Sequence, residues 1–431
     1  MFKKIVFCFF AFLLAACNQI MPQTIWQTPS SSTGGWNNIP YEVEDYTLES
    51  DSFSSDAFKV AMLLPLSGKA STFGKGLQNA AMMALEDTGN QKLEVRFYDT
   101  KSSPDGALAA LSSALSADAE LILGPLMSEE VSAISYQAKH KNVPVISFST
   151  APHILGGGIY TLGLLSDEQV DRIVSYAASK GRSKIAVVVP DSNAGLNIAK
   201  SALQSAAANN MSVTKIGFYE PSTLEFSELV QKMTAEKDFD VVLIAETGSR
   251  LKAISGTFGY YDVSYPNVLF VGTSVWENTN LNKETTLFNG IYPTISRVHG
   301  EYFNKKYKDL FGETPNTLYT YAYDSIALAS ALSKHGSQSL YSAITNPDGY
   351  IGINGSFRLF DDGTNEHNLD IVEITPQGLK TVSMAPKTFA ARKPRSNVSQ
   401  INMPQIYGKP LEAVQSKLFY EPATPSYFNI F

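Results

Sequence analysis

The feature that most constrains the fold is a regular alternation of short apolar runs with segments of helical period, which begins at Lys59. Residues 60–64 form a continuous apolar run, typical of a parallel strand that is buried on both faces. Residues 77–85 then carry apolar side chains at helical spacing, and Gly89 ends that segment. Repetition of this unit predicts βαβ connections and an α/β fold with doubly wound parallel sheets.

The alternation falls into two series of similar size and order. Strands of the first series are predicted at 60–64, 93–98, 121–123 and 143–147, and those of the second at 185–189, 213–218, 241–245 and 268–271. A helix with capping-box spacing at residues 166–169 separates the two series. Two lobes are therefore expected, and later elements must complete both, so the chain crosses between them more than once. We assign about 58–164 plus 297–345 to lobe one and about 165–296 plus 346–385 to lobe two.

Bulk composition sets the class of protein. A chain of 431 residues with 44% hydrophobic residues can bury two medium-sized cores. A formal net charge of −7 argues against nucleic acid as a partner, since nucleic acid selects for basic patches. Beyond the N-terminus no run of 18 apolar residues could span a bilayer.

The first residues have the order of an export signal. Lys3 and Lys4 precede an apolar run, 5–14, that is too short to span a bilayer, and small residues precede Cys17. This end resembles the lipobox of bacterial lipoproteins, which implies a signal peptide over 1–16 and lipidation of Cys17. An ordinary secretory signal is the alternative. The mature chain then has no second cysteine, and therefore no internal disulfide.

Residues 17–57 are rich in Ser, Thr, Asn, Gly and Pro without periodicity, and predict a disordered tether. In lipoproteins of this kind the residue after the cysteine influences sorting. Asn18 at that position implies the periplasmic face of the outer membrane, with the inner membrane as the alternative. Residues 386–431, with scattered prolines and an aromatic end, are interpreted as a loosely packed extension along the body, and a partner-binding peptide is the alternative.

Segments at predicted strand ends resemble the type I periplasmic binding proteins of the branched-chain amino-acid class. They are 59–68, 123–128, 149–152 and 185–191. A narrower resemblance, to the penicillin-binding protein activator lipoproteins, rests on 169–177, 349–359 and 385–389. It implies a bifunctional penicillin-binding protein, a peptidoglycan synthase, as partner. The N-terminal helical-repeat domain of the better-known activators has no counterpart in this sequence.

The first resemblance also implies a ligand cleft, because open α/β sheets bind ligands beyond the carboxyl ends of their strands. Ser128 and Thr150 match the positions that grip a ligand carboxylate, with helix N-termini contributing N–H donors. Ser67 and Ser149 belong to the same predicted edge. Alternatively, Ser128 merely caps its own helix.

The second lobe differs from that of the amino-acid-binding proteins at the positions that bind the ligand ammonium. The positions that would supply an aromatic wall and a carboxylate for the ligand ammonium hold Ala194, a residue near Thr247, and Ser274. A buried ammonium without a charge partner costs several kcal/mol. Glu246 and Trp276 lie nearby in sequence and could substitute. A free amino acid is therefore not the expected ligand, although another small polar ligand remains open.

No catalytic or metal-binding pattern stands out. The five histidines are scattered, and the two Ser-x-x-Lys matches, 212–215 and 249–252, lack the companion motifs of penicillin-binding enzymes. We expect no metal, no cofactor and no enzymatic activity. The favoured hypothesis is an envelope lipoprotein that stimulates a peptidoglycan synthase, and the alternative is a solute receptor of an ABC-type importer.

Overall fold

The computed structural model describes residues 23–24, 56–335, 340–390, 401–409 and 418. The predicted signal peptide, Cys17 and most of the predicted tether lie outside the described residues. Within residues 17–57 a two-residue strand, β1 (Gln23–Thr24), pairs in parallel with Tyr350 and Ile351. This part of the predicted tether therefore lies against the folded body.

The first lobe is built on a five-stranded parallel sheet. Its elements are β2 (Phe58–Leu64), α1 (Ser71–Thr88), β3 (Leu93–Asp99), α2 (Pro104–Ser116), β4 (Leu121–Leu123), α3 (Ser128–His140), β5 (Val145–Ser147) and β6 (Ile159–Thr161). The strand order is β3-β2-β4-β5-β6. Val60 and Met62 of β2 pack in a core with α1, whereas Ala61 and Leu63 of the same strand pack in a core with α2 and α3. Helices therefore cover both faces, which confirms the doubly wound prediction.

The second lobe repeats the plan. Its elements are α4 (Ser166–Ser179), β7 (Lys184–Pro190), α5 (Asn193–Ala208), β8 (Ser212–Tyr219), α6 (Ser227–Thr234), β9 (Val241–Ile244), α7 (Gly248–Tyr260), β10 (Leu269–Val271) and β11 (Ile291–Thr294). Val187 faces a core formed with α4 and α5, and Val188 faces one formed with α6 and α7. The continuous apolar run of β7 is thus buried on both sides, as its sequence predicts.

After β11 the chain returns to the first lobe. The elements there are α8 (Arg297–Phe311), α9 (Tyr319–Leu332), α10 (Leu340–Ile344), β12 (Tyr350–Gly352), β13 (Gly355–Leu359) and β14 (Asn365–His367). Tyr350 and Phe357 are buried in the same core as Ile326 of α9. The assignment of residues from 346 onward to the second lobe is wrong for this segment, because its apolar side chains face the helices of the first lobe.

The last crossing brings β15 (Asp370–Thr375) and β16 (Gly378–Ser383) to the second lobe, where β15 pairs antiparallel with β11. A further strand, β17 (Gln405–Tyr407), extends the sheet by pairing in parallel with β8, and Leu418 is buried in the core. The interpretation of 386–431 as a loose extension is wrong for these residues. The eight-stranded order is β16-β15-β11-β10-β9-β7-β8-β17. Within the described residues the chain crosses between the lobes three times, at about 162–165, 295–296 and 368–369.

Candidate functional site

Ser67 follows β2 at the carboxyl edge of the first sheet, as predicted, and is exposed. Its hydroxyl donates to Oδ2 of Asp99 at 2.6 Å and its backbone N–H donates to Oδ1 at 3.0 Å. Burial raises the pKa of the Asp99 carboxyl, but the hydrogen bonds from Ser67 and from backbone N–H groups outweigh it and leave the pKa below its usual value. Ser67 is therefore held as a partner of Asp99.

Ser128 is the first residue of α3 and does not cap that helix. The side chain of Glu130 reaches back to the N–H of Met127 at 3.3 Å, and Glu130 also accepts from Thr100 Oγ1 at 2.8 Å. Ser128 Oγ instead lies 3.2 Å from Glu129 Oε2. A carboxylate beside this hydroxyl disfavours a ligand carboxylate at the same place.

Ser149 and Thr150 follow β5 on the same edge. Ser149 is buried, and its carbonyl oxygen accepts from Thr161 Oγ1 at 2.6 Å. Thr150 is exposed, and its Cγ2 methyl group packs closely against Gly163. A Cβ added to Gly163 would lie only 2.4 Å from this methyl group. Ser149 and Thr150 thus contact β6 and the start of the first crossing.

In the second lobe Glu246 is engaged within the protein. Tyr219 Oη donates to its Oε2 at 2.6 Å, Arg250 Nε lies 3.0 Å from the same oxygen, and the Thr247 N–H donates to Oε1 at 2.9 Å. Burial raises the pKa of Glu246, but the hydrogen bonds from Arg250, Tyr219 and Thr247 outweigh it and lower the pKa. The expectation that Glu246 could serve a ligand ammonium is wrong, because its charge already pairs with Arg250.

Trp276 is fully buried. Its Nε1 donates to the carbonyl of Ile244 at 2.9 Å. Its ring packs directly against Gly272, since a Cβ added to that glycine would lie 2.1 Å from Cε2 of the indole. The expectation that Trp276 could form the aromatic wall of a cleft is therefore wrong, because the indole belongs to the core between β9 and β10. Ser274 is half-buried, and its backbone N–H donates to Gln169 Oε1 at 2.8 Å.

A buried network that the sequence analysis missed joins the first and third crossings. Glu168 of α4 accepts from the N–H of Leu165 at 2.9 Å and from the N–H of His367 at 2.7 Å, and its Oε1 lies 3.2 Å from His367 Nδ1. Burial raises the pKa of Glu168 and outweighs the opposing effect of His367. Nearby, the Asn365 amide donates to the carbonyl of Gly163 at 2.9 Å. The sequence predicts a capping box over 166–169, which would place Gln169 at its third position; in the structure the box is shifted by one residue, with Leu165 at the N-cap and Glu168 accepting from its N–H.

Asp324 of α9 lies beside this network and is 2% exposed. It accepts from the N–H of Ile353 at 2.7 Å and from that of Asn354 at 3.2 Å, which ties α9 to the turn between β12 and β13. Burial raises the pKa of its carboxyl to about 6, although both N–H groups and His367 act in the opposite direction. Two buried carboxyl groups with raised pKa values, those of Glu168 and Asp324, thus lie beside the crossings.

A cavity of about 430 Å³ lies where β11 leads into α8. Its walls come from the second lobe and from α8 and α9 of the first lobe, and contain Glu277, Thr279, Asn280, Leu281, Asn282, Tyr292, Thr294, Ile295, Ser296, Gly300, Glu301, Asn304, Thr317, Thr320, Ile374, Thr375, Gly378 and Leu379. None of the seven predicted cleft residues lines it. Its residues are scattered over about a hundred positions without a shared motif, so no sequence signal identifies it.

Within the described part of the chain, no group of three or more His, Cys, Asp or Glu side chains is placed to hold a metal ion. Nor does any helix in that part have the length and apolar character needed to cross a membrane.

Comparison with known proteins agrees with this architecture. The family described as periplasmic binding protein matches residues 57–379. A putative branched-chain amino acid ABC transporter protein from Rhodospirillum rubrum superposes with a TM-score of 0.68 at 16% identity, over 76% of this chain and 100% of that one. This structural likeness confirms the type I fold.

Two curated relatives are also similar. An uncharacterized protein, RP748, of Rickettsia prowazekii (strain Madrid E) is 21% identical over 329 residues, which is 73% of this chain and 85% of the relative. The penicillin-binding protein activator LpoA of Glaesserella parasuis serovar 5 (strain SH0165) is 25% identical over 174 residues, which is 40% of this chain and 29% of the activator. The family match spans most of the chain and both lobes, and the chain therefore belongs to the periplasmic binding protein family.

Proposed function

We propose that this protein is a non-enzymatic envelope lipoprotein that binds a bifunctional penicillin-binding protein and stimulates its synthesis of peptidoglycan. In this proposal lipidated Cys17 anchors the chain at the periplasmic face of the outer membrane. Residues 18–57 connect the anchor to the two-lobed body, but the pairing of Gln23 and Thr24 with β12 leaves only residues 18–22 between Cys17 and the body, which keeps the body close to the anchor.

The proposal is supported mainly by the second-lobe positions that were predicted to bind a ligand, because these residues are already engaged within the protein. Glu246 is paired with Arg250 and Tyr219, Trp276 is a core residue, and the N–H of Ser274 is bonded to Gln169. An amino acid would bring an ammonium that finds no available carboxylate among these predicted positions. Desolvating that charge without a partner costs several kcal/mol, which disfavours amino-acid transport.

The partial similarity to an activator supports the proposed partner. It covers less than a third of that activator's length, so the stimulating activity and the partner are both inferences for this chain. Two of the segments that resemble the activators lie near the crossings. Segment 169–177 begins with Gln169, which follows the first crossing and accepts from the Ser274 N–H. Segment 349–359 contains Ile353 and Asn354, whose N–H groups donate to Asp324. These segments therefore surround the joint between the lobes.

Binding is tested with the full chain in detergent, immobilised and exposed to a purified bifunctional penicillin-binding protein from the same source. We expect saturable binding that competes with free full chain. A purified monofunctional transpeptidase serves as the matched control. Absence of binding to any bifunctional penicillin-binding protein of the source would contradict the proposal.

A second candidate function, a solute receptor of an ABC-type importer, is favoured by the interlobe cavity and by the fold. Thermal unfolding with amino acids, peptides and muropeptides in excess distinguishes the candidates, because a ligand at 100 times its Kd stabilises a protein by about 2.7 kcal/mol. Fractionation of the two membranes is a further test. Recovery in the inner membrane would favour the receptor, since an importer resides there.

A further inference from the structure

The segment that follows β16 attaches the second lobe to the first. We call residues 384–390 the strap. At its start, Arg172 of α4 donates from Nη2 to the carbonyl of Met384 at 3.3 Å. The N–H of Ala385 then donates to Asp370 Oδ1, at the beginning of β15, at 2.6 Å. The first end of the strap is therefore held by the second lobe.

The other end of the strap lies on the first lobe. Arg358 of β13 donates from Nη2 to the carbonyl of Ala390 at 2.6 Å. The guanidinium carbon of Arg358 lies 4.7 Å from the centre of the Phe389 ring and 5.1 Å from that of Phe360. The Phe389 ring also packs against Gly349, since a Cβ added to that glycine would lie 2.7 Å from Cε2 of the ring. This end of the strap is thus attached by a hydrogen bond and by a cation–π contact.

The side chain of Arg358 is oriented from within the first lobe. Its Nε and Nη2 donate to Glu366 Oε2 of β14 at 2.9 and 2.6 Å, and only 7% of Arg358 is exposed. A guanidinium that is fixed by a carboxylate and shielded from water interacts more strongly with an aromatic ring than a mobile, solvated one does. The first lobe therefore presents Phe389 with a cation whose direction is already set.

The strap is short compared with the lobes that it joins. Only residues 386–388 separate its two attachments, and the four steps from Ala385 to Phe389 can span at most about 14 Å. A rotation of the lobes that carries the two attachments farther apart than this has to break one of them. Beyond the strap, residues 405–407 rejoin the second sheet as β17, so the second lobe holds the chain on both sides.

We propose that the strap is a releasable clamp that holds the two lobes in one relative orientation. It adds to the three crossings a connection that depends on side-chain contacts, and such contacts can open without unfolding either lobe. The inference does not depend on the proposed function, because it concerns the motion of the lobes and not a partner.

Lengthening the strap tests the clamp most directly. Inserting about ten glycine and serine residues after Lys387 extends its reach by about 35 Å and leaves both attachments intact. Lobe positions are measured in the full chain in detergent by pulsed electron double resonance, with spin-labelled unnatural residues replacing two exposed helix residues, Lys308 of α8 and Gln231 of α6. We expect one narrow distance peak in the wild type and loss of that peak, in favour of a broad distribution, in the insertion variant. The same insertion after Pro376, in the exposed turn between β15 and β16, is the matched control and should keep the narrow peak.

The aromatic attachment is tested separately with Phe389→Ala. Loss of the cation–π contact should raise the population with a released strap by roughly tenfold. Trypsin cleavage after Lys387 should accelerate by the same factor at low protease concentration, where cleavage follows the open population. Tyr136→Ala, at an exposed aromatic residue of α3, is the matched control and should cleave as the wild type does. A broad distance distribution in the wild type, a narrow peak retained by the lengthened strap, or unchanged cleavage of Phe389→Ala would each overturn the proposal.

Discussion

Replacing Asp324 with Asn should change how the stability of the protein depends on pH. Asp324 is fully buried among α9, β12 and β13, and burial raises the pKa of its carboxyl from 3.8 to about 6. A carboxyl whose pKa is higher in the folded state is favoured in its neutral form there. Its stabilising contribution is therefore complete below the unfolded pKa and is lost as the pH rises through the folded pKa.

The size of the effect follows from the shift. A rise from 3.8 to about 6 corresponds to about 3 kcal/mol at 1.36 kcal/mol per pKa unit. Most of this, roughly 2.5 kcal/mol, is lost between about pH 4 and about pH 7. Asn cannot ionise. We therefore compare the free energies of unfolding of the wild type and Asp324→Asn at each pH. Their difference should fall by roughly 2.5 kcal/mol from about pH 4 to about pH 7. The amide can add only an offset that does not change with pH.

The assay is urea unfolding followed by circular dichroism at a series of pH values. Asp348→Asn is the matched control, because Asp348 is an exposed aspartate of the same lobe and the same change of side chain is made there without removing a buried carboxyl. Taking the difference from the wild type removes the contributions of other groups with shifted pKa values, such as Glu168 and Glu246. A profile for Asp324→Asn that is flat, or that rises with pH, would contradict a raised pKa of Asp324 in the folded state.

Two further predictions concern packing and the crossings. Glu168→Ala removes the acceptor for two N–H groups, those of Leu165 and His367, and should lower the free energy of unfolding by about 2 to 4 kcal/mol. Glu168→Gln should cost less because its amide oxygen can still accept one of them; equal losses for both variants in urea titrations would contradict this. Gly76→Ala should cost about 1 to 3 kcal/mol, since the new Cβ would lie 2.1 Å from the ring of Tyr319. Gly256 is an exposed glycine of α7 whose added Cβ would meet nothing within 4 Å, so Gly256→Ala should be neutral or stabilising by up to about 1 kcal/mol. A similar melting temperature for the two alanine variants would contradict the clash expected at Gly76.

The individual elements were largely predictable from sequence because their signals are local. The run at residues 121–123 predicts β4 with the observed bounds, and Pro104 marks the start of α2. Strands with weaker local signals escaped prediction. β11 has four residues, one of which is Pro293, an unfavourable residue for a strand interior.

Assignment of segments to lobes was less predictable, because it depends on tertiary contacts. Nothing in the pattern of 350–359 distinguishes a segment that packs on α9 from one that packs on the second sheet. The same limit applies to the candidate site. Glu246 and Trp276 have residue types suited to a ligand cleft, but only the structure shows that Arg250 and the Ile244 carbonyl already engage them.

The most direct test of the central claim is the rate of glycan polymerisation by a purified bifunctional penicillin-binding protein from the same source, measured as the full chain is titrated in. We expect a saturable rise in rate that reaches its maximum near one chain per synthase. A different type I periplasmic binding protein at equal concentration should leave the rate unchanged. An unchanged rate at saturating full chain would contradict the proposed stimulation of the synthase.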